Sequence, residues 1–268
     1  MPSAHTRLFA LLGDPVAHSL SPRFQNAGFC AAGLDAVYLA LRVSSTDIAN
    51  MMNVLVDSGG GGNITVPHKQ AAVLPGALCS DRVQRLGAAN VFAGGEGGLA
   101  LDNTDVEGIL AVLDRVDARG DDWCILGTGG SARAVIDAAR ARGARIAVMS
   151  RQAKRATAFT KWAEDLGVTR TDPSECQVII NTTPLGLQSD DPLPADPVAF
   201  PSARVAVDLA YRPEGTTAWC EACHAAGLLA VDGREVLLQQ GVASWRLWFP
   251  RLVPPIEVMR AALDGHMG

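Results

Sequence analysis

The sequence predicts an α/β protein built in two parts with mainly parallel sheets, and three observations carry that prediction. Strand-like and helix-like segments alternate through both halves of the chain. Residues 123–151 read as strand, glycine turn, helix, strand. A polar break, Arg119-Gly120-Asp121-Asp122, sets that stretch apart from the helix before it. At 268 residues the length suits one or two domains, and 48% hydrophobic with 19% charged residues describes a globular chain. The net charge of -5 gives no reason to expect nucleic acid or an anionic membrane as partner.

Residues 8–12 are an apolar strand, and Gly13-Asp14-Pro15 turns the chain. His18-Ser19-Leu20-Ser21-Pro22 follows. Ser21 before Pro22 predicts a capped helix start, with the helix running to Gly33 and Ser19 left without capping work. Both hydroxyls stand where a strand exits an open α/β sheet, the usual place for a ligand. Residues 36–43 form the next strand, and Thr46 is expected to cap a helix to Asp57 with Ile48, Met51, Met52 and Leu55 on one face. A glycine run then leads into Asn63-Ile64-Thr65-Val66-Pro67-His68-Lys69, with Asn63 and Thr65 at period two. Pro67 is expected to open a helix that presents Lys69 in its first turn. The helix dipole disfavours a cation there, which points to a catalytic reason for it.

Ser80 caps a short helix to Gly87, and residues 88–92 and 99–101 form a hairpin around a glycine-rich turn. Asp102-Asn103-Thr104-Asp105 follows, with Thr104 as the expected cap of a helix over 105–116 and Asp105 in its first turn.

Residues 124–126 are apolar and lead straight into Gly127-Thr128-Gly129-Gly130-Ser131-Ala132, then an Ala-rich helix to Arg142, a Gly143 stop and a strand over 144–149. In this context G-x-G-x-x-A is a dinucleotide-binding fingerprint: Gly127 turns tightly, Gly129 admits a pyrophosphate, and Ala132 keeps the helix near the sheet. The helix N-terminus faces the phosphates. A free ribose 2′-hydroxyl is usually met by an acid about 20 residues on. Ser150 and Arg151 stand there instead, with Lys154 and Arg155 behind them, which favours NADP over NAD. A helix over 153–166, strands over 176–180, 205–209 and 228–231, a polar excursion over 188–201, a long helix over 234–249 and a last one over 256–263 complete the chain.

Six cysteines are scattered, and Cys220-Glu221-Ala222-Cys223-His224 matches the haem-attachment pattern. It lies in an ordinary amphipathic segment with no export signal at residues 1–7, so no haem or metal is expected and the location expected is the cytoplasm.

With these motifs in hand, the chain resembles the shikimate dehydrogenase family over nearly its whole length. The resemblance rests on Ser19-Leu20-Ser21-Pro22, the 63–69 segment, Gly87-Ala88-Ala89-Asn90, Asp102-Asn103-Thr104-Asp105-Val106-Glu107-Gly108 and the glycine loop. It continues through Ile180-Asn181-Thr182-Thr183-Pro184-Leu185-Gly186, Val207-Asp208-Leu209-Ala210-Tyr211 and Gln239-Gln240.

The resemblance implies an N-terminal α/β substrate domain, a Rossmann-type NADP-binding domain, and C-terminal helices that return to the first. The expected division is 1–106 with 240–268, and 107–239. It implies interconversion of 3-dehydroshikimate and shikimate in aromatic amino-acid biosynthesis, by a monomer or homodimer. Lys69 and Asp105 would be the catalytic pair. Ser19, Ser21, Thr65, Asn90, Asp105, Tyr211 and Gln240 would hold or approach the substrate. Gly127 to Ala132, Ser150, Arg151, Arg155, Thr182, Leu209 and Gly233 would hold the cofactor. The family's Asn-Arg-Thr then Arg motif is matched only by Ser150-Arg151-Gln152 and Arg155, and Val91 stands where Thr often follows the Asn. A quinate or aminoshikimate dehydrogenase would carry the same framework. A non-catalytic NADP-binding sensor is the rival of another class, and the intact Lys69 and Asp105 argue against it.

Overall fold

The computed structural model describes residues 3–186 and 190–265. The excursion expected over 188–201 therefore begins outside the described residues. The chain falls into two compact units, Met1–Asp105 with Leu237–Gly268, and Val106–Val236.

The first unit contains β1 (Arg7–Gly13), α1 (Ser21–Ala31), β2 (Ala36–Arg42), α2 (Ile48–Asp57), β3 (Gly61–Ile64), β4 (Leu78–Cys79), α3 (Asp81–Leu86), β5 (Val91–Gly95) and β6 (Gly98–Asp102). Its sheet order is β2-β1-β3-β5-β6-β4. β1 runs parallel to β2 and β3, while β5 is antiparallel to β3 and β6. Period two along β1 divides the core. Ala10 and Leu12 pack with Ile48, Met52 and Leu55 of α2. Phe9 turns to the other face and meets Phe29 at 5.2 Å and Trp248 at 5.1 Å between ring centroids.

Gly62 of β3 lies so close to its neighbours that a Cβ there would overlap the Ala10 carbonyl oxygen and press on the Phe92 ring. Both neighbours are buried strand residues, so neither can yield cheaply. Gly62→Ala is expected to cost about 3 kcal/mol, read as a lowered midpoint with unchanged slope in urea unfolding.

Several expected details differ. Ser21 is the first residue of α1 and the N-cap is Leu20, without a side-chain cap. Ser19, assigned no capping work, accepts the Ser21 N–H at 3.2 Å. Thr46 does not cap α2, because Ser44, Thr46 and Asp47 bond one another instead of the helix N–H groups. Pro67 starts no helix: residues 66–72 form successive turns. The Lys69 carbonyl accepts from Ala89 N–H at 2.8 Å, and Val73 N–H goes to Gln70, so an α-helical ladder cannot propagate. Without that helix, no dipole singles out Lys69.

α4 (Asp105–Arg115) opens the second unit, followed by β7 (Trp123–Leu126), α5 (Gly130–Arg142), β8 (Ile146–Met149), α6 (Ala153–Asp165), β9 (Val178–Asn181), β10 (Val205–Asp208), α7 (Ala218–Ala225) and β11 (Leu229–Val231). All its strand pairs are parallel, in the order β11-β10-β9-β7-β8. β7 is flanked by its sequence successor β8 on one side and β9 on the other, so the order reverses there. The carboxyl ends at such a reversal are where open α/β sheets bind ligands. α8 (Gly233–Trp248) leaves the second unit and ends in the first, and α9 (Ile256–Asp264) packs on α1. Trp245 Nε1 donates to Gln25 Oε1 at 2.8 Å, which ties α8 to α1.

Candidate functional sites in the two units

The registers of the first sheet bring four chain segments to one edge. Leu12 pairs with Ile64, Asn63 with Val91, and Val91 with Asp102. The exits of β1, β3 and β6 and the entry to β5 therefore lie side by side. Ser19 and Ser21 follow the first exit, Thr65 and Lys69 the second, Asp105 the third, and Asn90 precedes the entry.

At this edge Lys69 Nζ donates to Asp105 Oδ2 at 2.5 Å, with side chains 10% and 12% exposed. The other carboxylate oxygen, Oδ1, accepts from Asn90 Nδ2 at 2.7 Å. The Asn90 amide orientation is fixed, because its Oδ1 accepts the Thr104 backbone N–H at 2.7 Å, and an N–H can only donate. Asn90 Nδ2 also reaches Gln240 Oε1 at 3.3 Å. Lys69, Asn90, Asp105 and Gln240 thus make one cluster. Thr104 gives its hydroxyl to Asn90 Oδ1 at 3.2 Å rather than capping α4, and Asn103 Oδ1 takes the Asp105 N–H instead. An ammonium held this way can stabilise an oxyanion and hand it a proton, while the carboxylate orients it.

In the second unit the glycine loop sits at the carboxyl end of β7. Gly127 has φ +113°, and a Cβ there would come within 2.5 Å of Thr182 Oγ1. Thr182 Oγ1 donates to the Leu126 carbonyl at 2.8 Å, which binds the two loops together. Thr128 and Ser131 are half-buried, Gly130 opens α5, and Ala132 is fully buried against the sheet. Nothing lies within 4 Å of the Cβ position of Gly129, the α5 N-cap. That opening beside the N-terminus of α5 fits a pyrophosphate. Ser150 Oγ accepts the Gln152 N–H at 3.4 Å. Arg151 and Arg155 are exposed, and the first turn of α6 has no acid and no side-chain cap. Cations at an unneutralised helix start fit a further phosphate. Leu209 follows β10 with its N–H on Asn181, Gly233 donates to the Ala210 carbonyl, and half-buried Tyr211 also follows β10 in this unit.

Asp208, at the end of β10, is fully buried. It accepts from Asn181 Nδ2 at 2.8 Å, Ala210 N–H at 3.0 Å and Thr217 Oγ1 at 2.6 Å. Burial outweighs these bonds and pushes its carboxyl from 3.8 up to about 6. The folded protein keeps a proton there, between those two values, that the unfolded chain has released. Stability therefore falls as pH rises through that window, by about 3 kcal/mol, and levels off above it. Urea unfolding of Asp208→Asn should lack this component of the pH dependence, so the variant gains on the wild type between about pH 4 and pH 7.

Sequence reasoning assigned no role to Tyr38, Ser244, Asn181, Asp208 or Thr217, and it took Thr104 as a cap. Asn63 was visible through its alternation with Thr65, and Ser244 as the residue one turn after Gln240. Their partners lie too far along the chain for spacing to reveal. Among the described residues no His, Cys, Asp or Glu cluster could hold a metal, and no helix is long and apolar enough to cross a membrane.

Comparison with known proteins follows the same lines. Residues 11–92 match the family model of the shikimate dehydrogenase substrate binding domain, and residues 233–263 that of the shikimate 5'-dehydrogenase C-terminal domain. A shikimate dehydrogenase (NADP(+)) of Trichormus variabilis is 34% identical, over 100% of this chain and 99% of the relative. The crystal structure of shikimate dehydrogenase from Aquifex aeolicus superposes with a TM-score of 0.87 at 30% identity, covering 98% of this chain and 99% of that one. The Thermus thermophilus enzyme in complex with NADP(H) and shikimate gives 0.80 at 31% identity, over 97% and 99% of the two chains. With relatives matched end to end at this identity and the same motifs set on the same fold, the chain belongs to the shikimate dehydrogenase family.

Proposed function

We propose that the protein is an NADP-dependent shikimate dehydrogenase that reversibly reduces 3-dehydroshikimate to shikimate, a step of aromatic amino-acid biosynthesis. The observation that carries this reading is the buried Lys69–Asp105 pair, set beside Asn90 and Gln240 on one sheet edge. When bound, NADPH supplies the hydride. Lys69 gives a proton to the forming alkoxide and takes it back in the reverse direction. Asp105 orients that ammonium and, with Ser19, Ser21, Thr65, Asn90 and Gln240, holds the substrate's carboxylate and hydroxyls. Gly127 to Ala132 cradle the pyrophosphate, with Thr182, Leu209 and Gly233 alongside, and Ser150, Arg151 and Arg155 meet the 2′-phosphate.

Steady-state kinetics on shikimate and quinate, each with NADP and NAD, tests this. The highest kcat/KM is expected for shikimate with NADP. A hundredfold preference for quinate would overturn the substrate, and NADP binding without turnover of any cyclitol would overturn the activity.

A further inference from the structure

We propose that Tyr38, Asn63 and Ser244 form a buried positioning relay that holds Asn90 and Asp105 in register with Lys69, and that Asn63 belongs to this framework rather than to the substrate contacts. The inference rests on the shikimate dehydrogenase reading for its catalytic consequence, and on hydrogen-bond accounting for its structure.

Tyr38 and Ser244 are fully buried, and Asn63 and Thr104 are 3% and 4% exposed. Tyr38 OH donates to Asn63 Oδ1 at 2.8 Å. Both Asn63 Nδ2 hydrogens are committed, one to the Asn90 carbonyl at 3.1 Å and one to Ser244 Oγ at 2.9 Å. Ser244 Oγ in turn donates to the Gln240 carbonyl at 2.9 Å and lies 3.3 Å from Thr104 Oγ1. Thr104 fixes the Asn90 amide, and Asn90 fixes one oxygen of Asp105 while Lys69 holds the other. The chain of bonds is continuous from β2 to the ammonium. It joins β2, β3, the entry to β5, the start of α4 and the last third of α8.

The setting makes a polar chain hard to explain by stability. Tyr38 stands among rings, 6.4 Å from Phe29 and 6.0 Å from Trp248 between centroids, where apolar side chains would pack at no desolvation cost. A fully satisfied buried network specifies orientation in a way that apolar packing does not. The orientation fixed here is that of the carboxylate against the amine. Asn63 has no donor left for a ligand, so its place beside Thr65 in the motif follows from this bracing.

Tyr38→Phe and Ser244→Ala each delete one hydroxyl and nothing else, and neither side chain is part of the cluster proposed to touch substrate. Each is expected to lower kcat about tenfold, with the shikimate KM changed less than about twofold and the pH profile of kcat displaced. A purely structural role would lower the melting temperature but leave kcat per folded molecule and its pH profile alone. The second readout needs no turnover. In nitrogen-15 NMR spectra the Asn90 side-chain amide should be shifted and exchange faster in both variants. Unchanged kcat together with an unchanged Asn90 amide overturns the relay, and so does a KM that rises in step with the loss in kcat/KM. If the wild type turns over no cyclitol, the functional reading falls, and the amide signal alone then decides for or against the relay.

Discussion

Replacing Lys69 with alanine is expected to lower kcat about a thousandfold, with the shikimate KM moved by less than about tenfold. The ammonium sits at hydrogen-bond distance from a carboxylate that is otherwise oriented by Asn90, so removing it deletes the proposed proton donor and leaves that Asn90 bond in place. A donor that acts only as the alkoxide forms contributes to the transition state far more than to the bound ketone, and such losses fall on kcat. The variant also strands Asp105 in a mostly buried position without its counter-charge, which is itself destabilising. Circular dichroism and a thermal melt must therefore accompany the kinetics. Lys69→Met, which restores most of the volume, should fold better and be equally inactive. A folded Lys69→Met enzyme with undiminished turnover would end the proton-donor assignment.

Removing both Arg151 and Arg155 is expected to raise the KM for NADP by about a hundredfold or more while leaving that for NAD within a few-fold. These residues stand exposed at the start of α6, whose first turn holds no acid and whose N-cap makes no side-chain bond. A charge-assisted bond from a guanidinium to a phosphate is worth about 1.5–3 kcal/mol, and only NADP carries the 2′-phosphate that would receive it. The comparison of two cofactors in one variant separates lost phosphate recognition from a damaged fold, since damage would weaken both. Salt should mimic the substitution in the wild type, because exposed charges are screened.

The nucleotide-binding half was readable from the chain because its signals are local. Turn, helix start and helix stop all fall within residues 127–143, and Gly127 and Gly143 take the positive φ values such positions require. The first unit was harder. The hydroxyl-proline pair at Ser21 and Pro22 pointed to a side-chain cap, yet the cap falls one residue earlier and Ser19 does the local bonding. Pro67 suggested a helix, but the Lys69 carbonyl is claimed by Ala89, twenty residues further on, and a competing long-range bond cannot be seen in spacing. Lys69 and Asp105 were singled out as a pair through motif resemblance, and the Ser244 contacts to Asn63 and Thr104 were not found at all. Those contacts join segments more than a hundred residues apart, where neither periodicity nor capping chemistry carries information.

The first unit is assembled from two segments separated by the whole of the second, and that has a consequence for the order in which they can fold as they leave the ribosome. Phe9 and Phe29 wait for Trp245, Trp248 and Phe249, which are translated more than 200 residues after them. The middle unit has all its strands in one uninterrupted segment and is free to close while the aromatic cluster upstream is still uncovered. A nascent chain stalled before α8 would expose those rings to chaperones, and truncation at the C-terminus should harm the N-terminal sheet before it harms the parallel one.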